Sequence, residues 1–414
     1  SLQRDCLWIQ PTKSFGEAQV EVTAGGRRIL SRTIALNAAE PVQLDWQRPE
    51  ALVTVRITAG GKALASYAEE KPDPLKKPPV KDPLPLAAEM RSADELYLAG
   101  VHVEQYRDPA AMPDAYWLEA LKRDPDHVNS LLGMAKYCYQ MGRLTEAEAY
   151  ARRALKCLTK FNRHLQSGDP CFLLGQILEA QGSLQEAYDL YRKAAWNGSA
   201  VSKAMARASC IDLKNGDPEA AVAHARQAME RDARHPLAPA VLVLGYRALG
   251  DDATAQAVVR EVMRQDRLNH LIRWLGGVGE SEFFAGLHSS PCQTVLDMAF
   301  DLESMGSDAL AMRLLEQLGA HCGHTVMTLY VLAYLQDKLG IDCRETLALA
   351  DRADVGDAYP VRLGEMRVLE AMRQKDAVRA SFLLGCLLYD KRQYAWAAEL
   401  FEESIRLQPD HYMA

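Results

Sequence analysis

Gly182, Gly216 and Gly250 are evenly spaced, and an alanine follows each of them five positions later: Ala187, Ala221 and Ala255. Seven further on come Ala194, Ala228 and Val262. A fixed period of about 34 residues, with small and apolar side chains in register, predicts one helical hairpin repeated across 168–269, because a single hairpin leaves an apolar face that only a neighbouring copy can cover. Small residues mark the places where two helices cross closely. Larger residues, such as Leu174, Leu178 and Tyr191, fill the space between successive hairpins.

The same register runs upstream. With position 1 at Asp94, Tyr97 falls at position 4, Trp117 at 24, Ala120 at 27 and Pro125 at 32. The next repeat starts at Val128 and places Leu131, Met134, Ala135, Cys138, Gly142, Ala147 and Ala154 in the expected slots. The step from Gly142 to Gly182 exceeds the period by six, so an insertion is placed near 160–167. Regular repeats then start at Gly168, Ser202 and Pro236. Regularity fails at 270–291, where Trp274, Phe283 and Phe284 flank a glycine-rich turn; an irregular helix or loop is expected there, with a functional lid as the alternative. The pattern returns through Met298, Gly306 and Ala311, then Leu329 and Gly340. An extra helix is expected after Pro360, and a well-formed last repeat runs through Leu384, Gly385, Tyr394, Ala397, Phe401 and Pro409.

The residues before the array have a different rhythm. Ala18, Val20 and Val22 alternate with polar residues, as do Val53, Val55 and Ile57, and Gly25-Gly26 and Gly60-Gly61 give hairpin turns. Residues 1–70 are therefore expected to form a small antiparallel β-sandwich of immunoglobulin-like type, with Trp8 and Trp46 in its core. A sugar-stacking role for these tryptophans is the alternative. Residues 71–92, with six prolines from Pro72 to Pro85 and lysines between them, predict a semi-rigid proline-rich linker or, alternatively, an SH3-type ligand. Residues 93–414 form the predicted right-handed α-solenoid, so the chain is mainly α.

With helical hairpins of this period and this small-residue pattern, the array resembles the tetratricopeptide-repeat (TPR) family. The runs DELYLAGVHVEQYR (94–107), YWLEALKRDP (116–125) and LLGCLLYDKRQYAWAAELFEESIRLQPD (383–410) further resemble a group of large bacterial TPR proteins. The N-terminal part of these proteins is similar to galactose-mutarotase-like β domains, and they occur in carbohydrate-utilisation settings. The resemblance implies that this chain is a C-terminal fragment. It begins at Ser1 and stops in mid-pattern at Ala414, without a polar capping helix.

Charge and composition limit the function classes. The net charge is −7, which disfavours a nucleic-acid or anionic-membrane surface. No apolar run approaches the roughly 20 residues of a membrane span. Nine scattered cysteines without a CxxC pair are expected as reduced thiols in a cytoplasmic protein. His321, Cys322, His324, Asp342 and Cys343 lack standard zinc-ligand spacing, so no metal or other cofactor is expected. GxSxG, HExxH and Walker motifs are absent, so no catalytic residue is assigned.

The expected site is the concave groove, lined in this repeat class by positions 2, 5, 9, 12 and 13 of the first helix of each hairpin. From the register these include His102, Gln105, Tyr106, Lys136, Tyr139, Phe172, Gln176, Glu179 and Arg247. The clamp that holds chaperone tails in this family needs Lys and Asn at positions 5 and 9. Leu98 and His102, or Leu132 and Lys136, stand there instead, which disfavours that ligand. The expected function is a non-catalytic scaffold that takes a protein or peptide ligand, or a copy of itself. The alternative is the support or substrate wall of a carbohydrate-active enzyme, with carbohydrate bound by the full-length protein.

Overall fold

Glycine sets the hairpin turns. In the computed structural model, which describes residues 2, 6–70, 83–106, 111–287, 290–356 and 358–409, Gly142, Gly182, Gly216 and Gly250 have φ of 70°, 84°, 78° and 77°. This left-handed conformation ends a helix at little cost only when no Cβ is present. The next residue's N–H then reaches back to an orphan carbonyl of the helix just ended: Arg143 to Cys138 at 2.8 Å, Ser183 to Leu178 at 2.8 Å, Asp217 to Asp212 at 2.9 Å and Asp251 to Tyr246 at 2.8 Å.

The helices follow in pairs. The first five pairs are α1 (Ala93–Tyr106) with α2 (Pro113–Arg123), α3 (Val128–Gln140) with α4 (Leu144–Leu158), α5 (Asp169–Ala180) with α6 (Leu184–Ala194), α7 (Val201–Lys214) with α8 (Pro218–Arg231), and α9 (Ala238–Ala248) with α10 (Asp252–Gln265). Two short helices follow, α11 (His270–Leu275) and α12 (Glu280–Ala285). Then come α13 (Pro291–Ser304) with α14 (Asp308–Cys322), α15 (Val326–Lys338) with α16 (Arg344–Arg352), the single α17 (Leu363–Met372), and α18 (Ala377–Asp390) with α19 (Tyr394–Leu407). The irregular stretch 270–291 is thus a shortened hairpin. Its turn glycine, Gly277, keeps the same left-handed φ of 81°, and Trp274, Phe283 and Phe284 are buried.

Aromatic residues facing glycines lock the hairpins. Trp117 is fully buried and donates its indole N–H to the Tyr97 carbonyl at 3.2 Å. A Cβ on Gly100 would lie 2.3 Å from that ring, and one on Gly133 2.9 Å from it. Gly175 faces Tyr191, and Gly385 faces Phe401, at 2.7 and 2.6 Å in the same sense. The recurrence of small beside large residues in the sequence is therefore a close-packing rule between helices.

The last hairpin breaks the turn rule. Arg392 occupies the position of Gly142 and Gly182 with φ of 57°, and Gln393 N–H still bonds the Leu388 carbonyl at 2.9 Å. A side chain in this conformation costs about 1 kcal/mol. Arg392→Gly should therefore raise stability by about 1 kcal/mol, read as a higher urea midpoint. An unchanged or lower midpoint would contradict this account of the turn.

The chain divides into two compact units, Ser1–Pro83 with Arg264–Asp266, and Leu84–Met263 with Arg267–Ala414. The first holds β1 (Cys6–Ile9), β2 (Phe15–Ala24), β3 (Arg27–Leu36), β4 (Val42–Asp45), β5 (Val53–Ala59) and β6 (Lys62–Ala68). A four-stranded antiparallel sheet in the order β3-β2-β5-β6 and a two-stranded β1-β4 sheet share one core. Gly25-Gly26 and Gly60-Gly61 have positive φ at both positions, as a two-residue hairpin requires. Ala18, Val20, Val22, Val53 and Val55 point into the core with Leu7, Ile9, Leu44 and Trp46.

Trp8 is not a core residue. Strand alternation that turns Leu7 and Ile9 inward turns Trp8 to the other face, where it is half-buried. Of the linker expected at 71–92, residues 71–82 lie outside the described residues, as do 410–414 at the chain end. Residues 84–90 strap the start of the helical unit: the Tyr116 hydroxyl donates to the Pro85 carbonyl at 3.2 Å, and the Arg123 guanidinium to the Met90 carbonyl at 2.5 Å.

Candidate functional site

Within the helical unit, the faces of α3, α5 and α7 that carry the expected groove positions do not stand open. They look across a cavity of about 630 Å³ at α13 and α17. Two hairpin glycines permit the approach. Gly142, between α3 and α4, lies where an added Cβ would be 3.3 Å from the Met366 Sδ and from the Gln393 amide. Gly306, between α13 and α14, lies where a Cβ would be 2.9 Å from the Lys214 Cα. The Gln393 side chain donates to the Met141 carbonyl at 2.8 Å, joining residues 252 apart in sequence.

Tyr139, Gln176 and Glu179 form one wall, with Arg207 and Lys214 from α7. Glu303 and Ser304 of α13 and Leu363, Met366, Arg367 and Glu370 of α17 form the other. The charges are ordered. Arg207 grips both oxygens of Glu179, and the Tyr191 hydroxyl donates to the same carboxylate at 2.6 Å. Opposite, Arg367 donates to both oxygens of Glu303, at 3.1 and 2.7 Å, and Lys338 donates at 3.0 Å. Burial alone would raise the Glu303 pKa, but these cations more than reverse it and hold it at about 2.

The neighbouring Asp301 has the opposite balance. Burial pushes it up to about 6, with Arg207 opposing and Asp297 assisting. Burial also raises Tyr139, helped by the Glu179 charge, and raises Glu370, opposed by Arg373. Among the described residues, Lys214 and Glu370 have no ion-pair partner within 4.0 Å. Among those residues the cavity therefore offers an unpaired cation, a carboxyl that burial biases towards its neutral form, the amides of Gln176 and Gln181, a phenol and apolar surface from Ile211, Leu363 and Met366. This set suits a ligand with both hydrogen-bonding backbone and side chains.

The other expected groove residues lie elsewhere. His102 packs against Tyr106 with ring centroids 4.5 Å apart and planes tilted by 39°, near the end of α1 beside the exposed Gln105. Lys136 pairs with Glu104 at 2.9 Å. Phe172 packs 5.5 Å from the Tyr191 ring and carries the Lys203 ammonium 4.8 Å from its centroid. Arg247 donates to the Leu275 carbonyl at 2.6 Å. Sequence reasoning missed Arg207, Glu303, Arg367 and Glu370. Only Arg207 carried a signal: it is a cation in the repeat that follows the one holding Glu179, and adjacent repeats are in contact.

Among the described residues, no group of three or more His, Cys, Asp or Glu side chains could hold a metal. His321 stacks on Phe284 with ring centroids 5.0 Å apart, and His324 lies 3.3 Å from the Thr328 hydroxyl. No helix among the described residues is long and apolar enough to cross a membrane.

Tetratricopeptide-repeat family models match residues 114–160 and 378–411. Among solved structures, a tetratricopeptide repeat protein from Parabacteroides merdae is similar at 12% identity and a TM-score of 0.43, covering 67% of this chain and 97% of its own. YrrB, described as a TPR protein with an unusual peptide-binding site, is similar at 14% identity and a TM-score of 0.38, covering 45% and 93%. The C-terminal part of a TPR repeat-containing protein from Cytophaga hutchinsonii is similar at 12% and 0.36, covering 77% and 95%. The two family matches sit near opposite ends of the helical array, and the hairpins at 168–269 between them keep the repeat register and the left-handed glycine turns; this chain contains tetratricopeptide repeats.

Proposed function

We propose that this chain is a non-catalytic scaffold that binds a segment of another protein in the cavity between α3, α5 and α7 on one side and α13 and α17 on the other. The observation that carries this reading is the cavity itself. Its volume of about 630 Å³ falls in the range of ligand sites, and three groove positions, Tyr139, Gln176 and Glu179, line it. Gln176 and Gln181 supply the donors and acceptors that an extended backbone needs. Ile211, Leu363 and Met366 supply the apolar surface for its side chains.

Glu179 acts mainly through Arg207, which it orients. Lys214 would meet a carboxylate of the ligand, and the Glu370 carboxyl, biased towards its neutral form by burial, a hydrogen-bonding group. The test is a peptide selection against the whole chain, followed by fluorescence anisotropy of the selected peptides. Gln176→Trp, which fills the cavity, should weaken binding at least about tenfold, equivalent to about 1.4 kcal/mol, with melting held near that of the parent. Selected peptides that bind Gln176→Trp as tightly as the parent would overturn the assignment.

A further inference from the structure

The insertion that interrupts the repeat period carries a second surface. Residues 156–168 read KCLTKFNRHLQSG, and residues 190–203 read LYRKAAWNGSAVSK. Together they contain Lys156, Lys160, Arg163, Arg192, Lys193 and Lys203 and no Asp or Glu, in a chain of net charge −7. The fold brings the two stretches together. Asn197 donates to the Gln166 carbonyl at 2.5 Å, and the His164 and Trp196 rings lie 6.3 Å apart. Gly168 is pressed so closely on the end of α6 that a Cβ would lie 2.3 Å from the Ala194 carbonyl oxygen.

Two large apolar side chains stand in solvent at this corner: Phe161 is 91% exposed and Trp196 73%. Both lie away from the cavity described above. Between Arg163, His164, Lys193 and Trp196 is a recess of about 100 Å³, the size of one side chain. Among the described residues, Lys156, Lys160, Arg163 and Lys193 have no acidic partner within 4.0 Å. The nearest acids are engaged: Asp126 with Arg153 at 3.4 Å, Asp169 with Lys203 and Ser167, and Asp189 with Gln185 at 3.5 Å.

We propose that the insertion and the Trp196 corner form a docking site for an acidic segment of a partner protein. One carboxylate side chain enters the recess between Arg163 and Lys193, and an adjacent apolar side chain lies on Trp196 and Phe161. Charge complementarity selects the sign of the ligand. The exposed aromatics select a segment that mixes carboxylates with apolar residues, since a well-solvated polyacid gains nothing from them. The small recess and the net negative charge of the chain favour a short acidic segment over a long polyanion such as nucleic acid, whose phosphates would run beyond the patch.

The experiment uses the whole chain and a fluorescent synthetic peptide of glutamates and leucines, with its lysine counterpart as control. The acidic peptide should bind, quench tryptophan emission and weaken with salt. Arg163→Glu with Lys193→Glu, and separately Trp196→Ala, should each reduce affinity roughly tenfold or more. Gln176→Trp should leave it unchanged, so this result is independent of the cavity reading. These are surface positions, and equal melting of each variant confirms that it folds. Three outcomes would each overturn the proposal: no binding of the acidic peptide, binding indifferent to the Arg163 and Lys193 reversals, or tighter use of the same residues by a thymidine oligonucleotide or a phosphatidylserine vesicle.

Discussion

Ala187→Trp will unfold the middle of the helical array. Ala187 sits on α6 with no solvent exposure. In the same hairpin the fully buried Tyr191 ring already presses on Gly175 so closely that even a methyl group would lie 2.7 Å from it. An indole at Ala187 has nowhere to go without separating the two helices, and each hairpin depends on its neighbours for a covered apolar face. The expected loss exceeds about 4 kcal/mol, the exceptional end of single substitutions. It should appear as reduced far-UV helical signal and as early proteolysis between α5 and α8. The control is Gln185→Trp, two positions away and exposed, which should change stability by no more than about 0.5 kcal/mol. Ala187→Trp melting like the parent would mean that the repeat register is wrong.

That register is the most legible part of the molecule, and the reason is physical. A solenoid hairpin touches its sequence neighbours, so the constraints on Gly175, Ala187 and Tyr191 recur once per repeat and can be read by period alone. The turn glycines are legible for the same reason, and Arg392 shows that the turn survives a departure from the rule. In the β unit, alternation identifies the inward faces of β2 and β5. Trp8 goes the other way because its parity beside Leu7 and Ile9, not its size, decides which face it takes.

The site is less legible. Tyr139, Gln176 and Glu179 follow from helix position within one hairpin. The opposite wall comes from α13 and α17, and the contact of Gln393 with Met141 joins positions 252 apart. No local pattern encodes that meeting. Arg367 and Glu303 look like ordinary solvated charges until the helices that carry them are placed side by side. Nor does the groove class of a residue predict its partner: Arg247 satisfies the position rule, yet it is held by the end of α11.

Glu303→Gln tests the tie that holds the far wall of the cavity. The Glu303 side chain is 8% exposed and joins α13 to α17 through Arg367 and to α15 through Lys338. Neutralising it strands Arg367 and leaves Lys338 with Asp308 alone, 2.9 Å away; breaking a fully buried pair costs about 3–5 kcal/mol. Arg367 keeps 47% of its side-chain exposure, so water screens part of that loss and the expected cost is about 2–3 kcal/mol. The pH dependence gives the sign. The folded pKa of about 2 lies below the ordinary 4.5, so the stabilising contribution is fully present above about pH 4.5 and is lost as pH falls towards about 2. The stability gap between the parent and Glu303→Gln in urea should therefore be constant from neutral pH down to about pH 5 and then close in acid. Asp301, which titrates in both proteins, cancels from that difference. A gap independent of pH would show that Glu303 stabilises through packing rather than charge. A full gap at neutral pH accompanied by weaker peptide binding would connect this ion pair to the shape of the cavity, because α17 carries both Arg367 and the Met366 surface that faces Tyr139 and Gln176.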